Sequence, residues 1–327
     1  VPEPSATAAL PTPGPSAAAA ERLLRRLEWT VIRRLDGLLQ GDWRTLLRGS
    51  GIDLADLREY QSHDDVRHID WNVTARLATP HVRVFTEDRD MTAWFLLDLS
   101  PSVDFGPPGQ AKRDLLAGFV GVLARLLTRH GNRVGAVLHD GRAGAGQVLP
   151  ARGGRRQVLR LLHALLPGAP PPSFATPPGT TELQRLLRSA QGALRRRSAV
   201  FVVSDFLSTP GWEQPLAQLA RRHDVVAVRL LDPLELELPD AGLLLLRDPE
   251  TGEHLQVDTH DRGFRHRFAR LAAQREAQLR ASLARAGADT LELATDEDLL
   301  GALLRFMELR GRRPRLPAGS PARAAGG

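Results

Sequence analysis

Short apolar runs alternate along this chain with stretches in which apolar residues recur three and four positions apart. Segments 93–97, 133–139, 147–149, 199–203, 225–231 and 290–293 read as strands. The unbroken apolar character of 93–97 and 199–203 is that of strands buried on both faces. Helices are predicted between them. That at about 110–130 carries Leu115, Leu116, Phe119, Val120, Leu123, Leu126 and Leu127 as its buried stripe and stops at Gly131. Others fall at about 153–166, from 179 onward, at about 211–222, at about 259–287 and at about 296–310. Strands alternating with helices predict parallel pairing through right-handed crossovers. The fold class is α/β, with a doubly wound, mostly parallel sheet.

The flanks follow other patterns. Over 21–40, Leu23, Leu24, Leu27, Val31, Leu35, Leu38 and Leu39 recur at helical spacing, with Arg22, Arg25, Arg26, Arg33 and Arg34 on the remaining surface. This accessory N-terminal helix is expected to pack on the chain's own core. Residues 57–76 are dense in both charge signs, and the segment 46–91 keeps no smooth period apart from an alternating strand at 81–85. It reads as an accessory, β-rich segment held by Arg–carboxylate pairs, with a partner-facing surface as the alternative. Segments 242–247 and 255–258 flank Asp248-Pro249-Glu250-Thr251-Gly252 as a hairpin insertion. The domain reading is a disordered lead at 1–20, accessory elements at 21–91, the main domain at 92–310 and a disordered tail at 311–327.

Composition narrows the function. The chain of 327 residues has no cysteine, so disulfides and thiolate metal sites are excluded. Its net charge is +6, and Arg312, Arg313, Arg315 and Arg323 of the acid-free tail supply most of that excess. Lys112 is the only lysine. Such a distribution gives solubility and non-specific attraction, and no nucleic-acid partner is expected from it. No apolar run reaches the ~18–20 residues of a membrane span, and the start lacks a signal-peptide pattern. A cytoplasmic location is the expectation.

The chemistry centres on Asp98-Leu99-Ser100-Pro101-Ser102, where a buried strand ends in an acid and hydroxyls follow at alternate positions. A second strand ends in Ser204-Asp205, and Thr181 stands at a helix start between them. In an open α/β sheet, loops at the carboxyl ends of strands converge where the strand order reverses. Oxygen donors from Asp98, Ser100, Ser102, Thr181 and Asp205 suit a hard cation, Mg²⁺ or else Mn²⁺ or Ca²⁺. Helix capping by Thr180 and Thr181 is the alternative use of those hydroxyls. The order Asp-x-Ser-x-Ser, Gly-x-Thr, Ser-Asp resembles the metal-ion-dependent adhesion site of von Willebrand factor A domains. An ion left with an open position there invites an acidic side chain from a protein partner.

The likeness extends beyond the site. Leu57-Arg58-Glu59-Tyr60, Asp64-Asp65-Val66-Arg67-His68-Ile69-Asp70-Trp71, Thr74-Ala75-Arg76, Pro80-His81-Val82-Arg83 and Glu87-Asp88-Arg89-Asp90 resemble the signature of the domain of unknown function 58 family. That family carries the signature just before a von Willebrand factor A-like domain. Departures are Val103 where the family usually has Met, His63 where Gly is common, and Asp53-Leu54 where Glu-Phe is usual; none removes a metal oxygen. The resemblance implies a von Willebrand factor A or Rossmann-like fold and an adaptor or co-chaperone role beside a MoxR-type AAA+ ATPase. An enzyme is not expected. There is no Asp-x-Asp after the first strand, no Gly-x-x-x-x-Gly-Lys loop around Lys112 and no Gly-x-Ser-x-Gly elbow. The competing readings are a metal-free scaffold and a divalent-metal-dependent hydrolase.

Overall fold

The structure, a computed structural model, describes residues 15–39, 56–61, 66, 69, 71–84, 91–106, 110–140, 146–166, 183–247 and 253–312. Its centre is a six-stranded sheet. In chain order the strands are β3 (Thr92–Asp98), β4 (Arg133–His139), β5 (Gln147–Arg152), β6 (Ala199–Ser204), β7 (Asp224–Leu231) and β10 (Asp289–Ala294). Across the sheet they run β10-β7-β6-β3-β4-β5. Every pairing is parallel except that of β4 with the edge strand β5. The chain builds outward from β3 in one direction, then returns to lay β6 on its other side. The order therefore reverses between β3 and β6, which pair from Ala93↔Ala199 to Leu97↔Val203.

Helices cover both faces because the strands alternate between two cores. Ala93, Phe95 and Leu97 join the cluster formed with α4 (Lys112–Arg129), α5 (Arg155–Leu165) and α9 (Leu299–Arg312). Trp94 and Leu96 join the opposite cluster, with α6 (Leu183–Ala193), α7 (Glu213–Arg222) and α8 (Arg262–Ala286). Phe95 and Phe201 stack at 5.5 Å between centroids, and Phe119 meets Phe201 edge-on at 6.0 Å. Each fully buried ring or branched side chain contributes about 1.5–3 kcal/mol. Asp261 caps the start of α8 by accepting from the Gly263 amide, and Gly287 ends it in the left-handed conformation.

The N-terminal helix starts earlier than its periodicity predicts. It begins as α1 (Pro15–Leu27), inside the segment expected to be a disordered lead, because the alanine run there is a strong helix former. A π turn, Glu28–Ile32, joins it to α2 (Arg33–Leu39). The wider turn lets adjacent Val31 and Ile32 both be buried with Leu24, Leu27 and Leu35. It also leaves Trp29 exposed, with the Arg33 guanidinium 3.7 Å over its ring. Arg125 of α4 donates to Glu28 at 2.7 Å, fixing the helix to the core beneath it.

Within the charged segment, β1 (Asp56–Glu59) and β2 (His81–Val84) form a small antiparallel sheet, and Ile69 bridges to Val82. Between them lies α3 (Trp71–Leu77), a helix the mixed charge pattern does not reveal. Most of the charges assigned to an Arg–carboxylate network, with His63 and His68, lie outside the described residues, as does the tail beyond 312. β8 (Leu243–Arg247) and β9 (His254–Asp258) form the expected hairpin. No helix among the described residues is long and apolar enough to cross a membrane.

Candidate functional site

The crevice opens at the carboxyl ends of β3, β6 and β7, where the strand order reverses. Asp98 is the last residue of β3 and is buried. Its Oδ1 accepts from the Ser100 amide at 3.0 Å, closing an Asx turn, and its Oδ2 accepts from the Ser204 hydroxyl at 2.6 Å. Pro101 then starts a 3-10 turn, Pro101–Asp104. That turn brings Ser102 back toward Ser100, so their hydroxyl oxygens lie 3.1 Å apart. Both serines are buried.

On the other side of the reversal, β6 ends at Ser204 and the chain turns sharply. Phe206 sits at φ 59°, a left-handed conformation unusual for a bulky side chain. The turn aims the Leu207 amide at Asp205 Oδ1, at 3.0 Å, and the Phe206 amide at Ser204 Oγ, at 2.9 Å. Edge-on packing of Phe206 against Trp212 at 5.4 Å holds the strained residue. Strain supported by packing in this way is characteristic of functional sites.

A cation and a third carboxylate complete the crevice. Lys112, the first residue of α4, is wholly buried. Its ammonium donates to Asp205 Oδ2 at 2.7 Å and to Glu235 Oε1 at 2.6 Å. Gly106 makes this approach possible. At φ 119° it carries the loop so close that a Cβ would lie 2.9 Å from Ala111 Cα. Glu235 ends the 3-10 turn Pro233–Glu235 after β7. Asp232 fixes that turn by accepting from the Leu234 amide at 3.0 Å and from the Thr295 hydroxyl at 2.8 Å.

The electrostatics follow from this inventory. Burial, reinforced by the Asp205 charge, pushes the Asp98 carboxyl up to about 6 despite its hydrogen bonds to Ser204 and Ser100. Burial also raises Glu235, against the pull of Lys112. Burial alone would lower Lys112, yet Asp205 and Glu235 more than reverse it and hold the ammonium above its ordinary value. Three carboxylates thus share the crevice with one ammonium, which contacts two of them. With all of them ionised, the crevice is short of the charge of one divalent cation, and among the described residues no cation contacts Asp98.

The donor set fits a hard divalent ion in kind: carboxylates and hydroxyls, with no soft ligand. Asp98, Ser100, Ser102 and Asp205 are brought together by the two strand ends. Thr181, with its alternative Thr180, lies outside the described residues. Among the described residues, no group of three or more His, Asp or Glu side chains stands as a cage for a metal. The serine hydroxyls would therefore have to share in holding an ion. Sequence reasoning missed Lys112, Glu235 and Ser204 as members of the crevice. Lys112 did leave a signal: it is the sole lysine in a chain that otherwise uses arginine.

An uncharacterized protein of Mycobacterium bovis is 38% identical over 289 residues, spanning 88% of this chain and 89% of its own length. An uncharacterized protein of Mycobacterium tuberculosis matches to the same extent. Among solved structures, the conserved hypothetical protein BatB of Bacteroides thetaiotaomicron aligns at a TM-score of 0.40 and 14% identity. The alignment covers 68% of this chain and all of that one. An aerotolerance-related membrane protein of Bacteroides fragilis aligns at 0.41 and 14%, over 67% of this chain and 98% of that one. Neither TM-score reaches 0.5. The family described as protein of unknown function DUF58 matches residues 56–278, from the small accessory sheet well into α8. With more than half of its length so matched, the chain belongs to the DUF58 family.

Proposed function

We infer that the crevice binds a divalent cation, Mg²⁺ first among them, and through it an acidic side chain of another protein. The observation that carries this is the meeting of Asp98, Ser100, Ser102 and Asp205 at the strand reversal with more negative charge than Lys112 offsets. In this reading the sheet is of the von Willebrand factor A kind, and the crevice is its metal-ion-dependent adhesion site. Ser100 and Ser102 would hold the ion together with one of Asp98, Thr181 or Asp205, and the others would act through water. Thr181 is the proposed further donor. When bound, the ion supplies a positive centre with an exchangeable position for a carboxylate. The chain's own residues orient the donors and exclude water: the Asx turn at Asp98 fixes the two serines, and the Phe206 turn fixes Asp205.

Binding is the preferred reading because the hydroxyls of Ser100 and Ser102 face each other at 3.1 Å beside the carboxylate of Asp98, a set of oxygens suited to a hard cation. Kinship with the family supports an adaptor or co-chaperone role beside a MoxR-type AAA+ ATPase. Calorimetric titration of MgCl₂ into the full chain tests the first step. Saturable binding that is lost in Asp98→Ala supports the reading, and no heat in the wild type overturns it. Co-precipitation of a MoxR-type ATPase with and without chelator tests the second. Capture that chelator does not diminish separates the partnership from the ion.

A further inference from the structure

Lys112 and Glu235 belong to the crevice but to none of the donor positions assigned above. The ammonium is placed between Asp205 and Glu235 at nearly equal distances, 2.7 and 2.6 Å, while Asp98 is met by a hydroxyl and an amide. The positive charge is thus tethered at one side of the site and touches one of its two proposed acidic ligands. We propose that Lys112 is a built-in competitor for the divalent cation, sharing Asp205 with it, and that Glu235 is the anchor drawing the ammonium away from that ligand. The pair would set how readily the crevice fills. This rests on the reading that the crevice takes a divalent ion.

The geometry gives the two residues opposite effects. Without Lys112, three ionised carboxylates face an incoming cation with nothing to offset them, and Asp205 loses the donor at its Oδ2. Without the Glu235 charge, the crevice loses one negative charge, and the ammonium has Asp205 as its remaining carboxylate. Both consequences weaken cation binding in the second case, and both strengthen it in the first. A group whose role is only to hold the fold would not split in this way. Its loss would leave affinity unchanged or lower it in either variant.

The residue type fits the task. An ammonium is a compact charge whose three donors can meet carboxylates from different directions, and here it reaches Asp205 from one loop and Glu235 from another. A guanidinium instead presents its donors in one rigid plane. In a chain with one lysine, that lysine is at the position where such a shared, displaceable contact is made. The ammonium lies 5.9 Å from the Phe105 ring centroid, and the lysine is wholly buried.

The test is titration of MgCl₂ into the wild type, Lys112→Met and Glu235→Gln at one pH, with thermal melts in Mg²⁺ and in chelator. A unit charge a few ångströms from a divalent ion changes its affinity by about tenfold or more. Lys112→Met is expected to bind Mg²⁺ at least about tenfold more tightly, with a melting temperature that depends on Mg²⁺ more steeply than that of the wild type. Glu235→Gln is expected to bind at least about tenfold more weakly. If the wild type binds and both variants shift affinity in the same direction, or neither shifts it, the proposal is overturned while the metal reading stands. Should Lys112→Met fold only in Mg²⁺, or not at all, Glu235→Gln decides: unchanged affinity there overturns the proposal. Absence of Mg²⁺ binding by the wild type overturns the metal reading itself and this proposal with it.

Discussion

Asp98→Asn is expected to make the metal-free protein more stable at neutral pH. The wild-type carboxyl moves from the 3.8 of a free aspartate to about 6 because burial, and then the Asp205 charge, oppose its ionised form. A folded-state pKa above the unfolded one means that folding favours the protonated acid. That contribution is intact below about pH 4 and is lost as the pH rises through 6. At about 1.4 kcal/mol per unit, the folded state carries a penalty of about 3 kcal/mol once Asp98 is ionised. Asparagine removes the penalty and keeps an oxygen for the Ser100 amide. Its NH₂ faces the Ser204 hydroxyl, which must turn, at a cost of about 1 kcal/mol. The net gain at pH 7.5 is about 2 kcal/mol, and at pH 4 the variant is the less stable by about 1 kcal/mol. Urea unfolding in chelator at the two pH values, followed by circular dichroism, measures both. A difference between variant and wild type that does not change sign with pH would refute the argument, because burial of a charge is the one cause invoked that depends on protonation.

Three further outcomes follow from the packing. Gly121→Val should loosen the N-terminal helix, since a Cβ at Gly121 already falls 2.8 Å from a Leu27 methyl; limited proteolysis near residue 30 should accelerate while the sheet stays intact. Arg310→Met should cost about 3–5 kcal/mol, because it removes the buried guanidinium that reaches the Asp224 and Asp289 carboxylates at 2.7 and 2.9 Å; the urea midpoint reports it. Burial, with the Arg222 and Arg197 charges, holds His223 below its ordinary value. Folding therefore favours its neutral form, and the contribution present above about pH 6.5 is lost as the pH falls below that value. His223→Leu should flatten the loss of stability between pH 7.5 and 5.5.

The strand ends were legible because burial and chemistry change at one residue. Asp98 and Asp205 each close an apolar run, and the alternation of strands with helices places both at the same end of a parallel sheet. Lys112 and Glu235 were not legible as a pair. They are 123 positions apart, and what joins them is a helix start and a 3-10 turn brought to one crevice by the strand order. The π turn at 28–32 was hidden for a related reason. Leu24, Leu27, Val31 and Leu35 satisfy an uninterrupted helix, and only burial of Ile32 beside Val31 shows the wider turn. The helix at 71–77 lies where Asn72, Thr74 and Arg76 interrupt the apolar stripe, so its formation owes more to the neighbouring strand than to its own pattern. His81 shows this: its amide donates to Thr74 Oγ1 at 3.0 Å.

The burial of Lys112 has a consequence for handling the protein. Because it is the only lysine and is fully enclosed at the start of α4, the native chain offers reagents no lysine amine at its surface. Ester and aldehyde cross-linkers that target primary amines will pass this side chain by until the crevice comes apart. Mass-spectrometric acylation of residue 112 would then time the opening of that one corner of the molecule, against a background free of other lysines.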